Sequence, residues 1–239
     1  MIVATLNVWG RNAHWPARLD LIRKRLAELR PDVIGLQEVW RHDGRCEAEE
    51  IAGGLGYEIA YAPAFVADDG RIQGNAILSR LPLTGQRVTP LPTHGFEPRA
   101  LLFAMAGDLP VFVTHLNWEP DHSHIRQEQV RFITAQMAAH PGAVLLGDFN
   151  AGPDSPEIAH LGGVLTDAWA AAGDGGPGHT FDRANGYVLA ADEPTTRLDY
   201  IFTPEPPTRT WLTFTEPELV DGTRIWPSDH YGLACELAR

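Results

Sequence analysis

The chain has 239 residues, a formal net charge of −12 and an apolar content of 44%, enough to build the large core of an ordinary globular protein. Its acidity argues against strong non-specific nucleic-acid binding, because a negatively charged surface repels a polyanion. Cys46 and Cys235 are the only cysteines, so the sequence indicates neither a disulfide framework nor a zinc cluster built on cysteines.

No stretch of the chain has the pattern of a targeting or membrane-spanning segment. The chain opens directly into a strand, without the regions of a signal peptide, and no apolar run is long enough to cross a bilayer. We therefore expect a cytoplasmic location and no transmembrane segment. The sequence does not determine an oligomeric state.

The predicted elements are short apolar strands mixed with a few helices. In chain order they are a strand ending at Asn7, a helix over about 19–29 that stops before Pro31, a strand carrying Glu38, a short helix at Cys46–Ala52, strands at 57–61, 74–79, 85–91, 99–106 and 111–117, a helix at 122–139, a strand ending at Asp148, and strands near 197–203, 210–215 and 230–237. Residues 151–195 are rich in Gly, Ala, Pro and Asp, and we predict a functional loop there with one short helix near 156–161.

This arrangement favours two packed sheets with helices on their outer faces. Strands that do not alternate strictly with helices argue against a purely parallel, doubly wound sheet. The polar motifs described below span both halves of the chain, so we predict a single domain over residues 1–239.

Polar residues follow several of the apolar strands. Residues 147–150 read Gly-Asp-Phe-Asn directly after an apolar run, and strand alternation places Asp148 and Asn150 on one face. Other strand ends deliver Asn7, Glu38, His115, Asn117, Asp199, Asp229 and His230. Because open sheets bind ligands at strand ends, these residues predict one site suited to a phosphate held by a metal.

In order and spacing, Gln37-Glu38, Gly147-Asp148-Phe149-Asn150 and Ser228-Asp229-His230 resemble the motifs of the endonuclease/exonuclease/phosphatase superfamily. The resemblance runs from Asn7 to His230, almost the whole chain. It implies the deoxyribonuclease-like fold, a four-layer α/β/β/α sandwich of two mainly antiparallel sheets. It also implies a metal-dependent phosphoric ester hydrolase.

Within this resemblance, Glu38 and Asp229 are the expected ligands of Mg²⁺ or Mn²⁺, with one or two ions bound. Magnesium prefers hard oxygen ligands and usually takes only one or two carboxylates. Asn7 is expected to orient a ligand of the metal. His230, oriented by Asp199, is the expected general base, since a histidine held by a buried carboxylate can deprotonate water near neutral pH.

The remaining motif residues are expected to act on the phosphoryl group. His115 resembles the histidine of the deoxyribonuclease and sphingomyelinase branches, and would protonate the leaving oxygen or stabilise the charge of the phosphorane. Asp148 would hold the attacking water or a second metal, and Asn150 would donate to a non-bridging oxygen.

Substrate contacts are predicted at Arg99, Asn117, His122, Trp9 and Trp118. Four of the seven tryptophans lie within a few residues of a motif: Trp9, Trp40, Trp118 and Trp226. These indoles either form an aromatic wall beside the site or plug the ends of strands as part of the core.

The favoured function is hydrolysis of a phosphodiester of a small or lipid-like substrate. A metal-dependent endonuclease or exonuclease of the same family is the alternative. Two further hypotheses are a binding module that has lost catalysis and a zinc hydrolase built on His122 and His124.

Overall fold

A computed structural model describes residues 1–238. The strands are β1 (Ile2–Asn7), β2 (Val33–His42), β3 (Arg45–Cys46), β4 (Glu58–Val66), β5 (Ile72–Ser79), β6 (Leu83–Pro90), β7 (Ala100–Ala106), β8 (Leu109–His115), β9 (Val144–Asp148), β10 (Thr166–Asp167), β11 (Asp199–Thr203), β12 (Arg209–Thr213), β13 (Glu218–Val220), β14 (Thr223–Ile225) and β15 (Gly232–Glu236). The helices are α1 (Trp15–Leu29), α2 (Glu47–Ala52), α3 (Ser123–Met137), α4 (Pro156–Gly162), α5 (Ala168–Ala172) and α6 (Gly186–Ala191).

The strands form two large sheets and a small hairpin. The first sheet has the order β12-β15-β1-β2-β5-β4, with β3 paired to the end of β2, and the second has the order β10-β11-β9-β8-β7-β6. Two pairs, β1 with β2 and β8 with β9, are parallel, and the other pairs of these sheets are antiparallel. Strands β13 and β14 pair only with each other within residues 1–238.

Three apolar clusters fill the three interfaces of a four-layer sandwich. The cluster between the sheets contains residues such as Val33, Val113 and Leu146. A second cluster packs α1 and α2 on the outer face of the first sheet. The third packs α3 and α4 on the outer face of the second sheet. The predicted α/β/β/α sandwich of two mainly antiparallel sheets is therefore confirmed.

The central strands are mainly apolar because both of their faces are covered. In β9, for example, Leu145 packs in the outer cluster and the next residue, Leu146, packs between the sheets. Successive side chains of a strand point to opposite faces, so a strand buried on both sides has few polar positions. The carboxylates and histidines of the motifs lie near the ends of such strands.

Strands β4 and β5 are longer than the sequence predicts. The sequence predicts that the first strand ends at residue 61 and the second begins at residue 74, with a turn rich in Pro, Gly and Asp between them. In the structure β4 continues through Pro63 across an irregular register, and β5 starts at Ile72. An unpaired residue at an irregularity of this kind accommodates a proline without breaking the strand.

Residues 151–195 contain more regular structure than the single predicted helix. Besides α4, the segment forms β10, α5 and α6. Helices α5 and α6 have five and six residues, too few to show a helical period in the sequence. Each begins at a side-chain cap, Asp167 for α5 and Asn185 for α6.

Both cysteines, Cys46 and Cys235, are buried and unpaired. Their thiols lie in different clusters, Cys46 on the outer face of the first sheet and Cys235 between the sheets. Among the helices of residues 1–238, none combines the length and apolar character that crossing a membrane requires.

Candidate active site

Strand ends from both sheets meet at one cleft of about 320 Å³. Its lining contains the motif residues Glu38, His115, Asp148, Asn150 and His230, together with Arg99, Glu97, Trp40, Phe65, Gln73 and Trp118. A larger, mainly apolar hollow of about 620 Å³ lies at the opposite end of the second sheet and contains no motif residue. The chemistry is therefore concentrated in the smaller cleft.

Asn7 connects the two sheets at the base of the cleft. Its Nδ2 donates to Glu38 Oε1 and to Asp148 Oδ2, each at 3.0 Å. Its Oδ1 accepts from the backbone N–H of Trp9 at 2.9 Å, which fixes the orientation of the amide. One amide thus holds a carboxylate from each sheet in a defined position. Glu38 has a left-handed backbone, with φ of 57°, at a register shift in β2.

The Ser228-Asp229-His230 loop is attached to the same strand end. Ser228 Oγ lies 2.7 Å from the carbonyl oxygen of Asn7 and 3.1 Å from Asp229 Oδ1. Asn185 Nδ2 donates to the carbonyl oxygens of Ser228 and Asp229, at 2.8 and 3.2 Å. Asn185 also caps α6, so this helix is tied to the loop that carries Asp229.

Asp199 and His230 form a buried pair. His230 Nδ1 lies 2.8 Å from Asp199 Oδ2, and Nε2 lies 3.8 Å from Asp148 Oδ2. The backbone N–H of Asp199 donates to Thr180 Oγ1 at 3.0 Å, and the ring of Phe181 lies 4.9 Å from that of His230. Because Nδ1 is hydrogen-bonded to the carboxylate, Nε2 is the nitrogen that faces the site.

Arg99 determines which nitrogen of His115 carries a proton. Arg99 Nη1 lies 3.4 Å from His115 Nδ1 and 2.9 Å from Glu97 Oε1. A guanidinium can only donate, so Nδ1 must accept and the proton is assigned to Nε2. His115 Nε2 lies 3.6 Å from Asp148 Oδ2. His115 therefore presents a donor beside Asp148, whereas His230 presents the nitrogen that Asp199 leaves free.

The glycine of Gly-Asp-Phe-Asn allows β9 to approach β8. A Cβ atom at Gly147 would lie 2.2 Å from the carbonyl oxygen of Thr114. This close pairing places Asp148 directly opposite His115. The strand ends at Asp148, and Asn150 enters the cleft through a left-handed turn, with φ of 49°, rather than through strand alternation. Its Nδ2 donates to the carbonyl oxygen of Leu116 at 3.0 Å.

Burial, together with neighbouring charges, shifts the pKa values of the site groups in different directions. Desolvation raises the pKa of Glu38, and it raises the pKa of Asp148 and of Asp229 to about 6 in each case. Desolvation, followed by the charge of Arg99, lowers the pKa of His115 well below its usual value. Desolvation opposes a charged His230, but the carboxylates of Asp199 and Asp148 outweigh it and raise its pKa well above the usual value.

The structure brings together most of the predicted site residues. Asn7, Glu38, Asp148, Asp199, Asp229 and His230 are linked by the contacts above, and His115, Asn150, Arg99 and Trp118 line the same cleft.

Three residues predicted to contact the substrate, Asn117, His122 and Trp9, lie outside the lining of the cleft. Asn117 is buried, and its Oδ1 accepts from Gln129 Nε2 at 2.5 Å. His122 Nδ1 lies 2.8 Å from Glu119 Oε2, and its ring packs on Phe96.

The ring of Tyr187 lies 4.9 Å from the ring of Trp9 and 5.9 Å from the ring of Trp226. Of the four tryptophans near motifs, Trp40 and Trp118 line the cleft. Trp9 and Trp226 instead form a separate aromatic group with Tyr187.

Sequence reasoning missed several residues that hold or line the site. Thr180 and Asn185 lie in the segment predicted as a loop, and Glu97, Phe65 and Gln73 lie outside the motifs. Asn185 could have been found, because an asparagine directly before Gly-Tyr-Val-Leu-Ala-Ala is a helix N-cap pattern. Thr180 has no comparable signal, since its role is defined by a strand far along the chain.

The described residues contain one group of three or more close potential metal ligands: Asp148, Asp199 and His230, whose ligand atoms lie within 4.8 Å of one another. His122 and His124 have no third ligand at that distance within residues 1–238. The donor atoms of the site are mainly carboxylate oxygens, and Asp199 Oδ1 is buried without a hydrogen-bond partner. Such a donor set fits a hard divalent cation.

A four-layer sandwich with buried carboxylates and a histidine at its strand ends defines a class of metal-dependent phosphoester hydrolases. The chain belongs to the Endonuclease/Exonuclease/phosphatase family, whose model matches residues 4–230. Enzymes of this family are phosphoric ester hydrolases such as nucleases and phosphodiesterases, and they use divalent metals. No curated protein sequence matches the chain.

Solved structures share the fold. An endonuclease/exonuclease/phosphatase family protein from Leptotrichia buccalis is 17% identical over 100% of both chains, with a TM-score of 0.74. An endonuclease/exonuclease/phosphatase from Beutenbergia cavernae is 25% identical over 98% of this chain and 70% of its own, with a TM-score of 0.72. The human Nocturnin catalytic domain, solved with a bound sulfate anion, is 20% identical over 98% of this chain and 92% of its own, with a TM-score of 0.69.

Proposed function

We propose that the protein hydrolyses a phosphodiester of a small or lipid-like substrate and depends on Mg²⁺ or Mn²⁺. The observation that carries this proposal is the pairing of two histidines of opposite character beside Asp148. His230 is held by Asp199 so that Nε2 can accept a proton, and His115 is held by Arg99 so that Nε2–H can donate. Hydrolysis needs both, a base for the attacking water and a donor for the phosphoryl group.

Glu38 and Asp229 are the residues that would hold the cation. Both are half-buried, so a cation can reach them from solvent, and desolvation raises the pKa of each despite the positive groups nearby. The tighter group of Asp148, Asp199 and His230 fits a metal less well, because Asp199 and His230 already bond to each other. Asn7 orients Glu38 and Asp148 through its Nδ2.

Separate side chains of the protein transfer the proton, donate to the phosphoryl group and position the attacking water. His230 Nε2 takes the proton of the attacking water, and Asp199 stabilises the imidazolium that forms. His115 Nε2–H donates to the phosphoryl group, and the second N–H of the Asn150 amide donates to a non-bridging oxygen. Asp148 holds the attacking water between the two histidines. A divalent cation held by Glu38 and Asp229 would supply Lewis-acid stabilisation of the phosphoryl charge, and its positive charge would oppose the carboxylates that raise the pKa of His230.

The size of the cleft supports a small substrate. A volume of about 320 Å³ is at the lower end of the range for pockets that enclose small molecules. Arg99 is buried in its wall and provides the positive charge nearest to His115. The net charge of −12 further favours a small substrate over a long polyanion.

The test is an activity assay on metal-depleted protein with bis(p-nitrophenyl) phosphate, p-nitrophenyl phosphate and sphingomyelin. Mg²⁺ or Mn²⁺ is expected to restore diesterase activity, and Glu38→Gln is expected to raise the metal concentration that half-activates the enzyme. His124→Ala is the control, because this exposed histidine lies outside the cleft. Activation by Zn²⁺ alone, or its loss in His124→Ala, would overturn the proposed metal assignment.

A further inference from the structure

Two register irregularities face each other across β5 at the mouth of the cleft. The pairing of β2 with β5 shifts between Leu36 and Val39, and the pairing of β4 with β5 shifts between Pro63 and Phe65. Gly74 of β5 lies between them, and a Cβ atom there would lie 1.9 Å from the carbonyl oxygen of Ala62. Bulges beside active sites re-aim the side chains that follow them.

Beyond these bulges, three side chains from adjacent strands form a row. Trp40 of β2 is the direct partner of Gln73 in β5, and Phe65 of β4 is the partner of Gln73 on the other side. Directly opposed residues project to the same face of a sheet, and all three line the cleft. The row is therefore an amide with an aromatic ring on each side, next to the proposed metal site.

Trp118 lies at the same cleft but belongs to the other sheet. It is the third residue after the end of β8, and it is 56% exposed. Within residues 1–238 its indole makes no aromatic pair, unlike Trp9 and Trp226. Three separate elements from two sheets thus bring rings to one cleft, which the burial of core residues does not require.

Arg71 restrains the indole of Trp40, whereas the amide of Gln73 is available to bind a ligand. The guanidinium of Arg71 lies 4.5 Å from the ring of Trp40, a cation–π contact that restrains the indole. The side chain of Gln73 makes no hydrogen bond to residues 1–238 and is half-exposed in the cleft. An acyl chain lying on the row would cover this amide without pairing it, at a cost in binding.

We propose that Trp40, Gln73, Phe65 and Trp118 form a subsite for a flat aromatic ring with a hydrogen-bonding edge, carried by the phosphoester. This inference rests on the proposed function, because it places the phosphoryl group at the adjoining carboxylate and histidine cluster. The rings stack on the flat group, and Gln73 pairs with its polar edge. Such a subsite favours the small substrate of the two kinds proposed above and excludes the lipid-like substrate.

The experiment compares non-hydrolysable phosphonates as competitive inhibitors of the metal-loaded enzyme, with binding measured in parallel by titration calorimetry. Methylphosphonate reports the phosphoryl site alone. Phenylphosphonate and cyclohexylphosphonate are matched in size and differ in flatness, and octylphosphonate represents a lipid chain. We expect phenylphosphonate to bind at least about 5-fold more tightly than cyclohexylphosphonate, as stacking on indoles predicts.

Single substitutions test whether the preference for the flat ring arises from these residues. Trp118→Ala and Phe65→Leu are expected to remove the preference for phenylphosphonate and leave methylphosphonate binding unchanged. Gln73→Leu is expected to abolish any added affinity for 4-carbamoylphenylphosphonate, whose amide supplies a polar edge. Trp211→Leu is the control, since this half-buried indole lies on β12, outside the cleft. It should leave all of these affinities unchanged.

The outcomes separate the two proposals. Equal binding of the phenyl and cyclohexyl compounds would overturn the aromatic subsite, as would tightest binding of octylphosphonate, while the proposed function would stand in both cases. If methylphosphonate fails to bind and none of the diesters is hydrolysed, the proposed function itself is contradicted. A preference for the flat ring that persists in Trp118→Ala and Phe65→Leu would also overturn the subsite.

Discussion

At the residue scale, the Asp199–His230 pair should act as one catalytic unit. The carboxylate sets the orientation and the tautomer of the imidazole, so Asp199→Asn and His230→Ala are each expected to lower kcat about 100- to 10,000-fold. The double variant should be little worse than the worse single variant. Asp182→Asn is a matched control, because His179 and Asp182 form a looser pair, 3.9 Å apart and half-buried. A rate near that of the wild type in Asp199→Asn would remove this pair from the mechanism.

Arg18 should be a positioning residue for the metal site. Its fully buried guanidinium donates to the carbonyl oxygens of Val8, Gly10, Asn12 and Pro227, so it ties the loop after Asn7 to the loop before Ser228. A lysine has fewer donors and no planar fork, so Arg18→Lys is expected to cost about 1–3 kcal/mol of unfolding free energy. It should also raise the Mg²⁺ concentration needed for half-maximal thermal stabilisation.

Arg23→Lys is the control for Arg18→Lys. Arg23 lies on the same helix and also donates to backbone carbonyls, those of Glu50 and Gly53, at 2.8 and 2.7 Å. These carbonyls belong to the region of α2, away from the loops of the site. The control variant should lose stability without a change in metal dependence. If both variants shift the metal dependence equally, Arg18 has no special link to the site.

At the scale of elements, the sequence indicated the strands more reliably than their irregularities. Apolar runs such as 143–146 predict strands because both faces of the sheet are covered. The bulges at Glu38 and Ala64 depend on how neighbouring strands pair, which the local sequence does not specify. The local sequence therefore does not indicate that Gln73 and Phe65 line the cleft, although it predicts the motif residues nearby.

The residues of the site also divide into those that local sequence predicts and those that depend on tertiary packing. The sequence predicts Glu38, Asp148, Asp199 and His230 because each lies beside an apolar run, and all but Asp199 belong to the motifs that carry the family resemblance. Thr180 went unrecognised because its function is to accept from the backbone of Asp199, 19 residues further along the chain. Contacts of this kind are defined by tertiary packing and have no local pattern.

Gly74→Ala tests the double bulge. The added Cβ would meet the carbonyl oxygen of Ala62 and must push β4 away from β5, so we expect a loss of about 1–3 kcal/mol in unfolding free energy, measured by urea denaturation. Gly162→Ala in α4 has open space at its Cβ and should be neutral or stabilising. An unchanged stability in Gly74→Ala would show that β4 adapts without cost and that the glycine is not required there.

At the scale of the whole molecule, the sandwich brings distant parts of the chain to one edge and buries or pairs many of its arginines. Arg18, Arg126 and Arg197 are buried, and each of them is held by carbonyl or carboxylate oxygens. At the surface, several arginines are paired with acids, as in Arg11–Glu50 and Arg209–Glu236. These pairs reduce the positive potential available to a nucleic-acid backbone.

We therefore expect weak binding to duplex DNA, with a dissociation constant no tighter than about 10⁻⁴–10⁻⁶ M at physiological salt. The charge of −12 opposes a polyanion, and many of the arginines that could offset it are buried or paired with acids. Fluorescence anisotropy of a labelled duplex at several salt concentrations measures both the affinity and its salt dependence. A short labelled single strand tests in parallel whether an open end alone is bound. Tight binding to the duplex with a steep salt dependence would require several free phosphate contacts and would favour the nuclease alternative over the small-substrate phosphodiesterase.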